Sequence, residues 1–279
     1  MSSPGETDST DLLVRARSAL IDAIEALDDQ LDAVIVIGAQ AVYLRTGGID
    51  VALAETTKDS DVALDPRALV DDPRVETAMK SAGFLPSANC QPGSWVTPSG
   101  IPVDLMVPEA LAGDGGRTAR GARLPPHDKR AMRRARGLEA VLVDNDEMEI
   151  RALDPADGRV VRVRVAGPAA LLVAKIHKIW ERVETPHRLN DKDAHDAYRL
   201  LRAFDTAALA DVFLRLVNHD LCGEVTREAI DHLEELFGSP GALGAQMAGR
   251  AEEGVGDPEQ VAVAVSILAS DLLASVRGA

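Results

Sequence analysis

Apolar and polar positions follow two different periods along this chain, and the period changes once. Residues 11–27 place Leu, Ile and Ala at helical spacing with charges between them, which predicts an amphipathic helix. The β-branched run at 33–38 predicts a strand that ends in a tight glycine turn, and the good helix formers at 39–45 predict a short helix after it. The next predicted elements are a strand at 59–64, a helix at 66–80 closed by Gly83, and a strand at 101–107.

The middle of the chain predicts a loop and more strands, and the remainder predicts helices. Residues 113–136 are rich in Gly, Arg and Pro, which indicates a loop that runs into a short basic helix. Strands are predicted at 138–143, 148–153 and 160–165, and the last has the period of two that puts Arg162 and Arg164 on one face. From Pro168 onward the strand signal disappears. Helices are predicted at 168–183, 192–204, 205–217, 226–237 and 258–276.

These patterns predict an α+β protein with two domains. We expect a disordered tail over residues 1–10, a domain with a mixed sheet over 11–165, and a helical domain over 166–279. The N-terminus has no apolar signal segment, and no run reaches the roughly 18 continuous apolar residues of a membrane span. Cys90 and Cys222 are too few and too far apart for a disulfide framework. A cytoplasmic protein without membrane contact is expected.

Charge is distributed unevenly. The formal net charge of -15 argues against an anionic partner for the chain as a whole. Residues 117–136 nevertheless carry eight Lys and Arg against a single Asp. Such a run can neutralise the phosphates of a nucleic acid, or it can be a solvated loop that pairs with the acidic remainder. The candidate RNA contacts are Arg130, Arg133, Arg134 and Arg136.

The stretch "DSDVAL" contains a candidate metal site. Side chains at i and i+2 of a strand face the same way, so Asp59 and Asp61 project together while Ser60 points to the other face. Two adjacent carboxylates repel unless a cation lies between them, and Mg²⁺ prefers such hard oxygen ligands. Asp104, in another predicted strand, is a candidate third carboxylate for a two-metal phosphoryl-transfer site. The alternative is solvated surface charge in an acidic protein.

The segment upstream of this pair favours phosphate chemistry. "VIVIGAQAVYLR" predicts a strand, a glycine turn and the N-terminus of a helix about twenty residues before the two carboxylates. Helix N-termini bind phosphate through free N–H groups and the helix dipole. The order of strand, turn, helix and D-x-D strand is more specific than any one of its parts.

Four separated motifs resemble a known family: "VIGAQAVYLR", "TTKDSDVALD", "IPVDLM" and "LLVAKIHKIWERV…NDKDAHDAYRLL". Their order, over about residues 33–202, resembles the AbiEii-type nucleotidyltransferases of the DNA polymerase β superfamily, which include the MenT-type toxins. The resemblance implies a polymerase-β-like nucleotidyltransferase domain followed by helices. It implies that Asp59 and Asp61 bind Mg²⁺ or Mn²⁺, that Asp104 is the third carboxylate, and that Lys175 and Asp196 complete the site.

We accordingly expect nucleotide contacts from Gly38, Ala39, Gln40, Lys58, Lys178 and Arg182. The family's usual glycine-serine turn is "GAQ" here, so either Gln40 takes the place of the serine hydroxyl or phosphate binding is weaker. Lys175, Lys178 and Arg182 fall on one edge of a helix, where they could face the phosphates or be a solvated face with snorkelling side chains. Asp193 and Asp196 lie on one side of the next helix, and for Asp193 an interaction with the helix dipole is the simpler interpretation.

The hypothesis from the sequence is a metal-dependent nucleotidyltransferase that transfers a nucleoside monophosphate from an NTP. The resemblance, together with the basic segment, makes the 3′ end of tRNA the preferred acceptor, and it implies the toxin of a toxin–antitoxin system with a separate antitoxin protein as partner. The alternatives are nucleotidylation of a protein or small molecule, and an interaction protein that has kept the fold without the chemistry.

Overall fold

The computed structural model describes residues 4–47, 60–115 and 119–278, with side chains from Asp11 onward. Two compact units make up the chain. Unit 1 consists of Met1–Ala41, Glu55–Ala135 and Asn145–Ala166. Unit 2 consists of Val42–Ala54, Arg136–Asp144 and Gly167–Ala279.

Unit 1 contains a sheet with eight strands among its described residues. The strands are β1 (Val34–Ile37), β2 (Ser60–Leu64), β3 (Leu85–Pro86), β4 (Ser94–Val96), β5 (Pro102–Pro108), β6 (Arg133–Ala135), β7 (Asn145–Arg151) and β8 (Val160–Ala166). Their order across the sheet is β3-β4-β5-β2-β1-β8-β7, and β6 pairs with the C-terminal end of β5.

The sheet mixes parallel and antiparallel pairs, as the sequence predicts. β2 runs parallel to β5 and antiparallel to β1, while β1 runs parallel to β8. β1 and β2 are buried along their whole length. β1 is apolar on both faces, whereas β2 begins with the buried polar residues Ser60 and Asp61 before its apolar end. The centre of the sheet is therefore sheltered from solvent.

One face of the sheet is covered by the first helix, α1 (Pro4–Ala26). Its buried residues Leu20 and Ile21 contribute to the core, and α1 contacts β2, β5 and β8. Ser60 at the start of β2 donates a hydrogen bond of 2.8 Å to the carbonyl of Ala16 in this helix. Residues that alternate with Ser60 along β2 must project to the opposite face.

Several elements of unit 1 differ from the prediction. α1 begins at Pro4, inside the segment where the composition predicts a disordered tail, and Pro is compatible with a first helical turn. The helix predicted at 66–80 is only α3 (Val75–Ser81), since Pro73 disfavours helical geometry in the residue before it. The short basic helix predicted before residue 136 is instead strand β6, because its backbone pairs with β5.

Unit 2 is helical in its described part. Its helices are α4 (Pro168–Trp180), α5 (Asp191–Ala203), α6 (Thr206–Val217), α7 (Gly223–Phe237), α8 (Leu243–Arg250) and α9 (Pro258–Arg277), preceded by the end of α2 (Gly38–Thr46), which starts in unit 1. The strand predicted at 138–143 is wrong: Ala140–Leu142 form a 3₁₀ turn that packs on α4. A short apolar run does not distinguish a strand from another buried segment.

Helix α9 is long and apolar enough to span a membrane, judged by length and composition. One such helix is weak support for a span, because the core helix of a soluble protein passes the same test. Val265, Ala269 and Leu272 of α9 are buried, and the helix contacts α6, α7 and α8. Of the most apolar stretch of α9, 33% is buried inside the structure.

Candidate metal and nucleotide site

Two carboxylates lie side by side on the sheet of unit 1. Asp61 of β2 is the register partner of Asp104 of β5 and of Ile37 of β1. Paired residues on neighbouring strands project to the same side, and Ser60 points towards α1. Asp61 and Asp104 consequently share the face of the sheet away from α1, and the alternation predicted for Ser60 and Asp61 is confirmed.

Gly38 closes the space beside Asp61. It follows β1 directly, has a φ of +69°, and begins α2. A Cβ built on Gly38 would overlap the carboxylate of Asp61. Asp61 is only 9% exposed, so its carboxylate has little room to move away. Glycine is required here both by the left-handed backbone and by the close approach of Asp61.

The two residues after Gly38 are buried, and Gln40 does not lie where we expected. Ala39 and Gln40 have exposures of 7% and 1%. The Gln40 side-chain oxygen accepts a hydrogen bond of 2.9 Å from the guanidinium of Arg17 in α1, and Nε2 of Gln40 has no partner among the described residues. Burial lowers the pKa of Arg17. Gln40 therefore links α1 to the start of α2, and its side chain is buried instead of exposed at the turn.

Asp104 is paired with a cation of the protein itself. Nη2 of Arg133 donates a hydrogen bond of 3.1 Å to Oδ2 of Asp104, and both side chains are 22% exposed. The same Nη2 lies 3.0 Å from the sulfur of Met106. Arg133, expected as an RNA contact, is thus engaged with the carboxylate expected as a metal ligand.

The carboxylate oxygens of Asp61 and Asp104 are ligands of the kind that Mg²⁺ and Mn²⁺ prefer. Mg²⁺ is commonly bound through one or two carboxylates together with substrate phosphates, and Asp61 and Asp104 are adjacent carboxylates in a sheltered position. Asp59 and Lys58 lie outside the described residues. Within the described part of the chain no group of three or more His, Cys, Asp or Glu is arranged to hold a metal ion. The fit consequently rests on the two-residue pair.

A separate buried charge cluster joins α4 and α5 in unit 2. Nζ of Lys175 lies 2.9 Å from Oδ1 of Asp193 and 2.6 Å from Oδ2 of Asp196. All three residues are at most 4% exposed. Burial alone would lower the pKa of Lys175, but Asp193 and Asp196 hold it above its usual value. Burial alone would raise the pKa of Asp193, but Lys175 and Lys178 hold it well below its usual value.

The basic edge predicted on α4 exists, but its cations converge on Asp193. Nζ of Lys178 is 2.9 Å from Oδ1 of Asp193, and Nη1 of Arg182 is 3.4 Å from Oδ2. Lys175 is buried between Asp193 and Asp196, so it does not face a nucleotide phosphate. The two carboxylates carry less charge than the three cations, and the side chain of Lys178 is 37% exposed, so phosphate contacts of Lys178 and Arg182 stay a prediction. Asp193, for which an interaction with the helix dipole was the simpler interpretation, is the centre of the cluster.

Asp196 is fully buried, which does not suit the catalytic contact that the resemblance implies. Oδ1 of Asp196 has no hydrogen-bond partner within the described ranges. One turn along α5, Arg199 donates to Oγ1 of Thr46 and lies over the ring of Tyr43, 5.4 Å from its centroid. Asp196 and Arg199 thus face the interior of unit 2.

The arginines expected to bind RNA have different environments. Arg130 is exposed. Arg134 donates to the carbonyl of Glu109 at 3.5 Å, while its Nε and Nη1 are buried without a partner in the described chain. Arg136, which belongs to unit 2, forms ion pairs of 2.6 Å with Glu228 and 3.2 Å with Glu224, and the bond from Arg136 lowers the pKa of Glu228. Only part of the basic segment is available to a phosphate backbone.

Two features of these charge networks depend on tertiary packing. The spacing of Asp193 and Asp196, three residues apart on α5, was visible, but their burial depends on how α5 packs on α4. The pairing of Arg133 with Asp104 depends on β6 joining β5, and β6 was predicted to be a helix. Neither contact has a local signal in the sequence.

Comparison with known proteins adds no relative to this picture: no family model, curated protein or solved structure matches the chain.

Replacing Gly38 by Ala tests the close approach to Asp61. Gly100 also has a positive φ, of +81°, but a Cβ there meets nothing within 4 Å. Gly100→Ala should therefore lower the free energy of unfolding by about 1 kcal/mol, from backbone strain alone. Gly38→Ala should lower it by about 2–4 kcal/mol, because steric overlap adds to that strain. Urea unfolding of both variants measures the difference, and equal losses would contradict the contact.

Because of the buried charge cluster, the free energy of unfolding should fall in acid. Asp193→Asn should remove the part of this pH dependence that comes from Asp193. The folded-state pKa of Asp193 lies below its unfolded value of about 4, so its contribution is complete above that pH and is lost as pH falls further. The pKa of Lys175 is higher in the folded state than its unfolded value of about 10. Its contribution to stability is therefore complete below that unfolded value and is lost as pH rises through the folded-state pKa.

At neutral pH, Asp193→Asn should cost about 3–5 kcal/mol, because Lys175 loses one buried partner. Denaturant unfolding of wild type and Asp193→Asn, from neutral pH to about pH 3, measures the gap between their free energies of unfolding. The gap should narrow in acid. The exposed Asp71→Asn is the matched control and should follow the wild type at every pH. A gap that stays constant would show that Asp193 does not titrate as described.

Proposed function

We propose that this chain is a metal-dependent nucleotidyltransferase that transfers a nucleoside monophosphate from an NTP to an acceptor. An acceptor hydroxyl gives up its proton to a base or to solvent, and its oxygen bonds to the α-phosphorus while the bond between the α-phosphorus and the bridging oxygen breaks and pyrophosphate leaves. The observation that carries this proposal is the adjacent pair Asp61 and Asp104, with the Gly38 turn packed against Asp61. The resemblance of the four sequence motifs to AbiEii-type enzymes, and with it a polymerase-β-like domain, belongs to the same proposal.

In this proposal Asp61 holds Mg²⁺ or Mn²⁺ with Asp104, and with Asp59, which lies outside the described residues. The bound ion would supply positive charge against the triphosphate. Gly38 allows the backbone at the start of α2 to lie against Asp61. Lys175 and Asp196 are assigned to the stability of unit 2, because their charges already satisfy each other in its interior.

The proposed acceptor is the 3′ end of tRNA, and the proposed role is that of a toxin neutralised by a cognate antitoxin in the cytoplasm. This part rests on the resemblance and on the basic segment. The exposed Arg130 supports a phosphate contact. The partners that Arg133 and Arg136 find inside their own units favour the alternative acceptor, a protein or small molecule, because fewer cations remain for a nucleic-acid backbone.

A second candidate function is an interaction protein that has kept the fold and lost the reaction. The observation that favours it is the ion pair between Arg133 and Asp104, which neutralises one of the two described carboxylates without a metal. Burial of Gln40 against Arg17 points the same way, since the Gln40 side chain is directed into the fold instead of towards a bound phosphate.

Incubation with each α-labelled NTP, a divalent metal and total cell RNA distinguishes the two candidates. Wild type should transfer label, and Asp61→Asn should lower transfer by about 100-fold or more, because a metal ligand is lost. Asp71→Asn makes the same chemical change at an exposed position and should leave transfer unchanged. Circular dichroism confirms that each variant is folded. Equal labelling by wild type and Asp61→Asn would exclude the metal role of Asp61.

Salt dependence of tRNA binding tests the acceptor separately. If Arg130 contacts a phosphate, Arg130→Ala should reduce the slope of log affinity against log salt by about 1. Arg162→Ala removes the same charge from an exposed position on β8, with a side chain that is 69% exposed, and should leave the slope unchanged. Filter binding at several salt concentrations gives both slopes. Identical slopes for the two variants would remove Arg130 from the acceptor site.

A further inference from the structure

The carboxylate row, which consists of Asp61 and Asp104, has the positively charged side chain of Arg133 beside it. Asp61 and Asp104 are paired across neighbouring strands, so their negative charges are close together in a partly buried place. Like charges in such a position destabilise each other. The guanidinium of Arg133 lies 3.1 Å from Oδ2 of Asp104 and offsets part of this repulsion. Arg133 thereby supplies at Asp104 the kind of charge that a metal ion would supply.

The position of Arg133 is fixed by the backbone around it. β6 runs parallel to β5 with Arg133 opposite Met106, and Asp104 lies two residues before Met106 on the same face. The side chain of Arg133 therefore runs back along β5, past the sulfur of Met106, to reach Asp104.

Gly93, the residue before β4, packs against the backbone of β5 and β6. Its amide donates to the carbonyl of Arg130 at 2.8 Å, and its own carbonyl accepts from Leu105 at 2.7 Å. A Cβ on Gly93, which has a φ of +75°, would overlap the backbone of Arg133 and Leu105. The packing of the Gly93 turn against β5 and β6 thus fixes the backbone of Arg133 beside Asp104, while the end of the Arg133 side chain is held only by its contacts with Asp104 and Met106.

We propose that Arg133 is a resident counter-cation that competes with the divalent metal for Asp104. This inference rests on the proposed function, since it concerns the same carboxylate row. Without metal, Arg133 neutralises Asp104. When the metal binds, Oδ2 of Asp104 exchanges the guanidinium for the ion, and the side chain of Arg133, which is 22% exposed, turns towards solvent. Metal affinity is then weaker than the carboxylates alone would give, and the released cation is available to an anionic substrate.

The direct test is the affinity for Mn²⁺, measured by titration calorimetry and by electron paramagnetic resonance without nucleotide. Arg133→Gln should bind Mn²⁺ about threefold to tenfold more tightly than wild type, because the competing cation is gone. Arg133→Met removes the same charge from a side chain of similar length and should give the same change. Arg162→Gln removes the same charge at an exposed position on β8 and should leave the affinity for Mn²⁺ unchanged. Unchanged or weaker binding by both Arg133 variants would overturn the inference.

A double-mutant cycle with Asp104→Asn separates competition at Asp104 from a general field effect. In the Asp104→Asn background, Arg133→Gln should no longer tighten Mn²⁺ binding, because Arg133 then has no carboxylate to block. The same tightening in both backgrounds would contradict competition at Asp104.

Asp61→Asn distinguishes the two possible failures. If Asp61→Asn abolishes Mn²⁺ binding and the Arg133 variants do not tighten it, the carboxylate row binds metal and only the role of Arg133 is wrong. If Asp61→Asn binds Mn²⁺ as wild type does, or if neither wild type nor the Arg133 variants bind it, the metal site of the proposed function fails and the inference fails with it.

Discussion

The parallel pairing of β2 with β5 is the constraint on which the candidate site depends. Side chains alternate along a strand, so a slip of one residue in this register would turn Asp61 or Asp104 towards α1. Ser60 prevents such a slip in β2, because its hydroxyl is bonded to Ala16 on the face covered by α1. Gly38 reinforces the arrangement, since no larger residue leaves room for the carboxylate of Asp61. The fold thus places the two acids together before any ligand is considered.

Both units contain acidic groups that the protein neutralises with its own cations. In unit 1, Arg133 pairs with Asp104 while part of both side chains stays exposed, so the pair can open. In unit 2, Lys175 is enclosed with Asp193 and Asp196 and has no comparable access to solvent. Breaking a buried pair leaves an uncompensated charge at a cost of several kcal/mol. This difference in burial is why we assign exchange with a metal to Arg133 and a stabilising role to Lys175.

The sequence predicts the parts of the fold that carry a local periodic signal. β1, β2, β5, β8 and the helices α4, α5, α6, α7 and α9 follow from apolar patterns of period two or 3.6. Helix α8 was not predicted. Strand β6 and the 3₁₀ turn at Ala140–Leu142 do not, since pairing with β5 in the one case and packing on α4 in the other determines their form. At the site, the common face of Asp61 and Asp104 was partly predictable from strand alternation. The partners of Gln40, Arg133 and Lys175 were not, because each is far away in the chain and depends on tertiary packing.

The central claim is that Asp61 and Asp104 form a cation site that serves nucleotidyl transfer. Anomalous diffraction from crystals grown with Mn²⁺ and a non-hydrolysable NTP analogue tests it most directly. The account predicts an anomalous peak within coordination distance of a carboxylate oxygen of Asp61, with the triphosphate of the analogue on the same ion and Arg133 turned away from Asp104. A bound analogue with no peak at Asp61, and with Arg133 still paired to Asp104, would contradict it.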